Sequence, residues 1–230
     1  MQAIILAAGA SSRFWPLNPR SKFLFRIMGK PIIWYVVEGL RKLEITDIVI
    51  VQCPNKDVEQ ALEQYGFDIK YVVQEKPVSS GSAILEAEDL INDHFLVLNG
   101  ERIDVEDSVK PLLDKLESLD CEEKCVILAG KTDRPWLFGI LETKDDKVKS
   151  LIEKPEKGKE PSDLKVVGTY LFPKCFFEYL KKVEVHPHSL EHAILLYAKE
   201  KDVRVALTEK ETIALKFPWD LFSFNKYLMD

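Results

Sequence analysis

Residues 3–8, Ala-Ile-Ile-Leu-Ala-Ala, carry no charge and stop at Gly9. A short apolar run bounded by a glycine reads as a buried strand. Strands apolar on both faces belong to sheets covered by helices on both sides. A loop of small residues follows, Gly9-Ala10-Ser11-Ser12, then Arg13 and, further on, Lys22. Small side chains let backbone N–H groups approach a ligand closely, and successive amides form an anion-binding concavity. Arg13 can then grip phosphate oxygens as a planar fork, and Lys22 can meet them as a point charge. The stretch predicts a strand feeding a triphosphate site. It is neither a P-loop, since no Gly-Lys-Ser/Thr closes it, nor a G-x-G-x-x-G turn.

The chain continues in the same style. Ile33, Val36, Val37, Leu40 and Leu43 recur at helical spacing, after which residues 48–51 form an apolar strand. Val58, Leu62 and Tyr65 mark a second helix closed by Gly66, residues 69–73 another strand, 81–91 a third helix and 95–98 a fourth strand. This alternation predicts an α/β fold, a single doubly wound, mostly parallel (Rossmann-like) sheet with helices on both faces. Ligands in such sheets bind beyond the carboxyl ends of the strands. Gly9, Gln74 and Glu101 each stand just past one.

From Cys125 the pattern turns to strands separated by turns, at 126–129, 138–141, 148–152 and 166–172. Helices are expected at 176–182, 190–199 and 218–229. This smaller, strand-rich part would take the acceptor. With no repeat or linker, 1–230 reads as one domain, about 1–120 for nucleotide and about 121–230 for acceptor.

A net charge of −6 argues against nucleic acid as a partner, so phosphate binding must be local. No apolar run is long enough to span a bilayer, and the N-terminus enters a strand with no signal peptide before it. Cys53, Cys121, Cys125 and Cys175 lack zinc spacing and read as reduced thiols of a cytoplasmic protein. His188 and His192 have no ligand companions and read as a loop entering a helix.

The run LAAGASSRFWPL with Lys22 resembles the signature of the sugar-1-phosphate nucleotidyltransferases, roughly L-A-A-G-x-G-T-R-x-x-P-L followed by Pro-Lys. Ser11 stands in place of a glycine and Ser21 in place of the proline. The A-S-S-R variant is also similar to cytidylyltransferases and molybdopterin nucleotidyltransferases. The resemblance implies that Leu6, Ala7, Ala8, Gly9, Ala10, Ser11 and Ser12 meet the nucleotide, with Arg13 and Lys22 at the reacting phosphates. Gln74 with Gly81-Ser82-Ala83 resembles the base-reading Q…G-T-A segment, at a longer spacing; an amide suits a pyrimidine edge.

Val97 to Glu101 stands where these proteins have apolar-apolar-x-G-D, whose aspartate holds Mg²⁺. Glu101 is then the metal ligand, with Asp104 and Glu106 near enough to help. Glu153-Lys154-Pro155 resembles the E-K-P whose glutamate and lysine meet the sugar phosphate. Gly139, Gly168 and Tyr170 match the neighbouring strands, although Val166 replaces an asparagine. Glu191 stands where a glutamate lies near the sugar. Residues 218–221 resemble the P-W-D-L that opens the last helix, with Asp220 as its cap. The second metal carboxylate expected a few residues earlier is absent, Ala214 lying in that segment.

The implied reaction joins a nucleoside triphosphate, UTP or dTTP favoured, to a sugar 1-phosphate and releases pyrophosphate. Two alternatives stay open: a CTP-dependent enzyme acting on phosphocholine or a similar phosphate, and a weakly active regulatory paralogue. Assembly into a homo-oligomer is compatible with either.

Overall fold

The computed structural model describes residues 1–9, 11–14, 21–119, 124–213 and 215–229, without the side chain of Ser12. The expectations for Ala10, residues 15–17, Cys121 and Ala214 lie outside the described residues.

In chain order the elements are Gln2–Ala7 (β1), Arg26–Ile27 (β2), Lys30–Pro31 (β3), Ile32–Lys42 (α1), Asp47–Gln52 (β4) and Asp57–Leu62 (α2). Ile69–Val73 (β5), Ser80–Leu85 (α3), Phe95–Asn99 (β6), Val105–Glu117 (α4) and Cys125–Lys131 (β7) follow. Then come Gly139–Lys144 (β8), Lys147–Glu153 (β9), Leu164–Phe172 (β10), Phe176–Lys181 (α5), Ser189–Glu200 (α6), Val203–Thr208 (β11) and Leu221–Met229 (α7).

Nine of these strands form one sheet in the order β5-β4-β1-β6-β10-β7-β11-β9-β8. β5, β4, β1 and β6 are parallel neighbours, as expected for the first half. Beyond β6 the expectation of a mostly parallel sheet needs correction. β10 is antiparallel to β6 and β7, and β9 to β11 and β8, so the sheet is mixed. The reason is physical: a strand buried on both faces is apolar whichever way it runs, so its pattern carries no direction.

Two of the longer elements, α4 and β11, were not foreseen, nor was the small hairpin of β2 and β3. Pro111 interrupts the helical reading of α4. β11 follows α6 directly and inserts between β7 and β9.

The pleat sends alternate residues to opposite cores. Ile4 and Leu6 pack with Ile84, Phe177, Leu190 and Ile194 of α3, α5 and α6. Ala3 and Ile5 pack with Val36, Leu40, Val58 and Val109 of α1, α2 and α4. Helices therefore cover both faces, as predicted. Each fully buried Ile or Leu contributes about 1.5–3 kcal/mol relative to exposure, which locks β1 in the sheet centre and fixes where Gly9 emerges. A third cluster, Phe14, Ile27, Ile32, Ile103, Leu215 and Phe224, holds α7 against the loop after β1.

Candidate active site

An open cleft of about 1040 Å³ lies against the carboxyl ends of β1 and β6. One wall comes from the β1 and β6 ends. Gly100 N–H donates to the Leu6 carbonyl at 2.9 Å, clasping the two strand ends together. A Cβ on Gly100 would meet the Phe23 ring at 3.0 Å, so a glycine lets the chain turn there. The turn delivers Glu101 beside Lys22: Nζ donates to Glu101 Oε1 at 2.9 Å and to the Leu215 carbonyl at 3.0 Å. Ser11 adopts φ +52° and its hydroxyl accepts the Lys22 backbone N–H at 2.9 Å. The left-handed backbone accounts for the glycine expected in its place. Arg13 is exposed, with its guanidinium carbon 5.7 Å from the centre of the Phe217 ring.

The opposite wall is built on β8, β9 and β10. Lys154 N–H donates to the Phe138 carbonyl at 2.9 Å, and Lys154 takes φ +48°, which turns the chain at the strand end. Lys154 Nζ lies 3.4 Å from Glu153 Oε1. A Cβ on Gly139 would come within 2.8 Å of Glu153 Oε2, so glycine opens the space that carboxylate fills. The β10 register shifts between Val166 and Tyr170, with Gly168 at φ +84°. There the Gly168 backbone approaches Asn99 so closely that a Cβ would sit 2.8 Å from Nδ2. The bulge brings the two walls together. Behind it, buried Arg102 pairs with Asp104 and donates to the Val167 carbonyl at 3.3 Å.

Glu191, from the first turn of α6, also reaches the cleft. Burial raises its carboxyl above the ordinary range, and the Glu153 charge adds to that. Its Oε2 is buried with no hydrogen-bond partner among the described residues. Burial also pushes the Tyr170 phenol up, with Glu191 and Glu153 adding to it. Such an orphaned acceptor in a cleft is a place for a ligand hydroxyl.

The sequence model of the nucleotidyl transferase family matches residues 2–220. The chain belongs to that family. A curated relative from Methanocaldococcus jannaschii, bifunctional protein GlmU, is 31% identical over 235 residues, covering 100% of this chain and 55% of its own length. The bifunctional sugar-1-phosphate nucleotidylyltransferase/acetyltransferase of Sulfurisphaera tokodaii is 32% identical over 239 residues, covering 100% of this chain and 56% of its own. The chain thus spans a little over half the length of these relatives. Among solved structures, a candidate glucose-1-phosphate thymidylyltransferase of Bacillus anthracis, in complex with a sucrose, superposes with a TM-score of 0.84 at 25% identity. That match covers 100% of this chain and 96% of the other.

Within this nucleotidyl transferase fold, the cleft gathers Arg13, Glu101, Gly139, Glu153, Lys154, Gly168 and Tyr170, with Lys22 directly behind Glu101. Leu6, Ala7 and Ala8 are buried, their side chains in the two cores, and Gly9 is exposed with open space around it. Gln74, Gly81 and Ser82 are not on this wall. Gln74 is 3% exposed and its amide donates to the Ser82 hydroxyl at 2.9 Å. Gly81 is small because the Ser189 hydroxyl and the Leu190 amide press on it.

Two metal helpers are corrected. Asp104 is committed to Arg102 and accepts the Ile213 N–H, while α4 turns Glu106 outward to Lys110 at 3.2 Å. Asp220, expected as the cap of the last helix, instead accepts the Lys216 and Phe217 amides of the turn that precedes α7. His186 Nε2 and His192 Nδ1 lie 3.0 Å apart at the entry to α6, and no cluster of three metal-ligating side chains occurs among the described residues. No helix among them is long and apolar enough to cross a membrane. Cys53 and Cys125 are free thiols.

Sequence reasoning missed Asn99, Phe138, Lys165 and Lys216, which line the same cleft. Asn99 and Phe138 fall inside motifs at positions given no role, and Lys165 and Lys216 fall just outside theirs, so only the fold brings them in.

Proposed function

We propose that the chain is a sugar-1-phosphate nucleotidyltransferase, joining the nucleotidyl group of UTP or dTTP to the phosphate of a sugar 1-phosphate and releasing pyrophosphate. The observation that carries this reading is the convergence of Arg13 and Glu101 on one cleft with Glu153, Lys154, Tyr170 and Glu191. The names of the relatives point the same way.

In this mechanism an acceptor phosphate oxygen attacks the α-phosphorus in line, and the bond to the bridging oxygen of pyrophosphate breaks. The amides of the loop at Gly9–Ser12 and the Arg13 fork take the phosphate charge, while Glu153 and Lys154 seat the acceptor. Positioning and charge stabilisation supply the rate, without a proton-transfer residue. The orphaned Glu191 oxygen and the Tyr170 phenol suit the hydroxyls of a sugar. Gln74 is proposed to read the base through its carbonyl oxygen, since its amide nitrogen is occupied.

The residues fit a divalent cation such as Mg²⁺ shared with substrate phosphates, with Glu101 as its protein ligand, and not a cage of protein carboxylates. When bound, such an ion neutralises phosphate charge. Glu101 would have to exchange Lys22 for it, which lets the ammonium turn toward the phosphates.

A second reading, a nucleotide-holding regulatory paralogue of low turnover, is favoured by the Lys22–Glu101 pair itself, which occupies both groups. A pyrophosphate-release screen across UTP, dTTP, CTP and GTP, each with sugar 1-phosphates and phosphocholine, separates the readings. Turnover with a sugar 1-phosphate is expected, together with its loss in Glu101→Gln. Turnover only with phosphocholine and CTP would move the assignment to the cytidylyltransferase alternative. Binding of nucleotide with no release in any pairing would leave the regulatory reading.

A further inference from the structure

The cleft holds more positive charge than this mechanism uses. Two ammonium groups lie over the Phe138 ring, Lys216 Nζ 3.8 Å and Lys165 Nζ 4.8 Å from its centre. Lys165 comes from β10 and Lys216 from the segment before α7, and the fold alone makes them neighbours. Both are half-buried and line the cleft. Elsewhere, comparably buried lysines have found carboxylates: Lys22 pairs with Glu101 and Lys115 with Asp146. Among the described residues, neither Lys165 nor Lys216 belongs to an ion pair; their near contact is the ring face, which attracts a cation but carries no net charge.

Their surroundings tell the same story. Burial, then the charges of Lys165, Lys154 and Arg13, holds Lys216 below the ordinary lysine range, with Glu153 opposing. Burial, then Arg102, lowers Lys165, with Arg134 adding to the effect and Glu211 and Asp133 opposing. Ammonium groups held together without a paired carboxylate repel one another, and a bound anion relieves that repulsion. A chain of net charge −6 does not lack carboxylates to place here. The pair is seated on the acceptor wall: β10 also carries Gly168 and Tyr170, and the Phe138 carbonyl is the partner of Lys154 N–H.

We propose that Lys165 and Lys216 form an anion subsite over Phe138 that takes the phosphate dianion of the acceptor, beside Arg13 and distinct from the Lys22–Glu101 pair. The proposal rests on the nucleotidyltransferase reading for the word acceptor, but its test does not need turnover.

Calorimetric titrations of the parent, Lys165→Gln, Lys216→Gln and the double variant with inorganic phosphate, glucose 1-phosphate and UTP decide it. The double variant is expected to lose roughly tenfold or more in affinity for inorganic phosphate and glucose 1-phosphate, while UTP binding changes less than about twofold. Lys216→Arg is expected to keep most of the phosphate affinity, which separates charge from packing, and thermal melts check that each variant folds. A loss confined to UTP would place the pair on the nucleotide side and overturn the assignment. Equal affinities in parent and double variant, or a parent that binds no phosphate, would overturn it as well. Should phosphate binding depend on the lysines while no substrate pair releases pyrophosphate, the subsite stands and the transferase reading falls.

Discussion

The two walls of the cleft handle charge in opposite ways. On the wall built from β1 and β6, cation and carboxylate already satisfy each other: Lys22 lies 2.9 Å from Glu101, and the Leu215 carbonyl takes a second donor. On the side built from β8, β9 and β10, where α6 and the segment before α7 also reach the cleft, charge is left over. Lys165 and Lys216 have no ion pair among the described residues, and Glu191 keeps a buried oxygen without a partner. The first wall is held ready by internal bonds that a ligand must rearrange. The second keeps groups that a ligand could satisfy without first breaking an internal bond. Substrate recognition should therefore be cheap to perturb on the acceptor wall without loss of fold, whereas the first wall couples stability to chemistry.

The largest effect is expected where charge meets the reacting phosphates. Arg13→Ala and Lys22→Ala should each reduce turnover roughly a hundredfold or more, the usual loss for one transition-state charge contact. Their melting temperatures should separate them. Arg13 is exposed and its loss should leave the melt unchanged, whereas Lys22→Ala strands Glu101 and should lower it. Near-normal turnover in either variant would remove that residue from the mechanism.

Next come Glu153→Gln and Lys154→Gln, which should raise the acceptor KM roughly tenfold to a hundredfold through one lost charge-assisted contact. Nucleotide affinity by calorimetry should hardly move. Parallel losses for both ligands would show that the two walls are not functionally distinct.

Gly139→Ala sharpens the same contrast without touching a charge. Its new methyl would press on Glu153 Oε2, the far end of a flexible side chain, so the backbone can stay while the carboxylate swings away. An intact melt with an acceptor KM raised several-fold is expected. Gly168→Ala makes the counter-test. Its φ of +84° and the nearby Asn99 amide leave no easy relief, and a loss of about 1–3 kcal/mol in stability is expected by chemical denaturation.

The smallest effect is a pH dependence. Burial raises the Glu191 carboxyl above its unfolded value, so the folded protein holds the proton more tightly than the unfolded chain. Stability from this group is then present at acid pH and falls as pH rises from the ordinary glutamate range, about 4.3, through the raised folded value. Glu191→Gln cannot titrate. Its melting temperature relative to the parent should improve as pH rises across that window, and a constant difference would count against a raised carboxyl.

Much of the fold was legible because burial leaves a period in the sequence. The strand at 69–73 and the turn at Gly66, φ +65°, stand where composition put them. α4 was hidden by Pro111, and β11 by Arg204, which interrupts its apolar run. In the site, Ser11 at φ +52° explains from the backbone why a glycine was expected there. Asp104 could not be assigned from spacing, because the partner that claims it, Arg102, is two residues away but packed inward under β10.

By itself, the sequence determined the buried central strands, the helices on both faces and the positions where functional loops emerge. These follow from local periodicity, and each needs only its own segment to be read. Only the tertiary structure decided the antiparallel placement of β10 and β9, the committed state of Lys22, Glu101 and Asp104, and the meeting of Lys165 with Lys216 over Phe138. Each of these depends on residues distant in the chain sharing a few ångströms of space. Ion pairing and charge surplus belong to such neighbourhoods, and no single segment carries them.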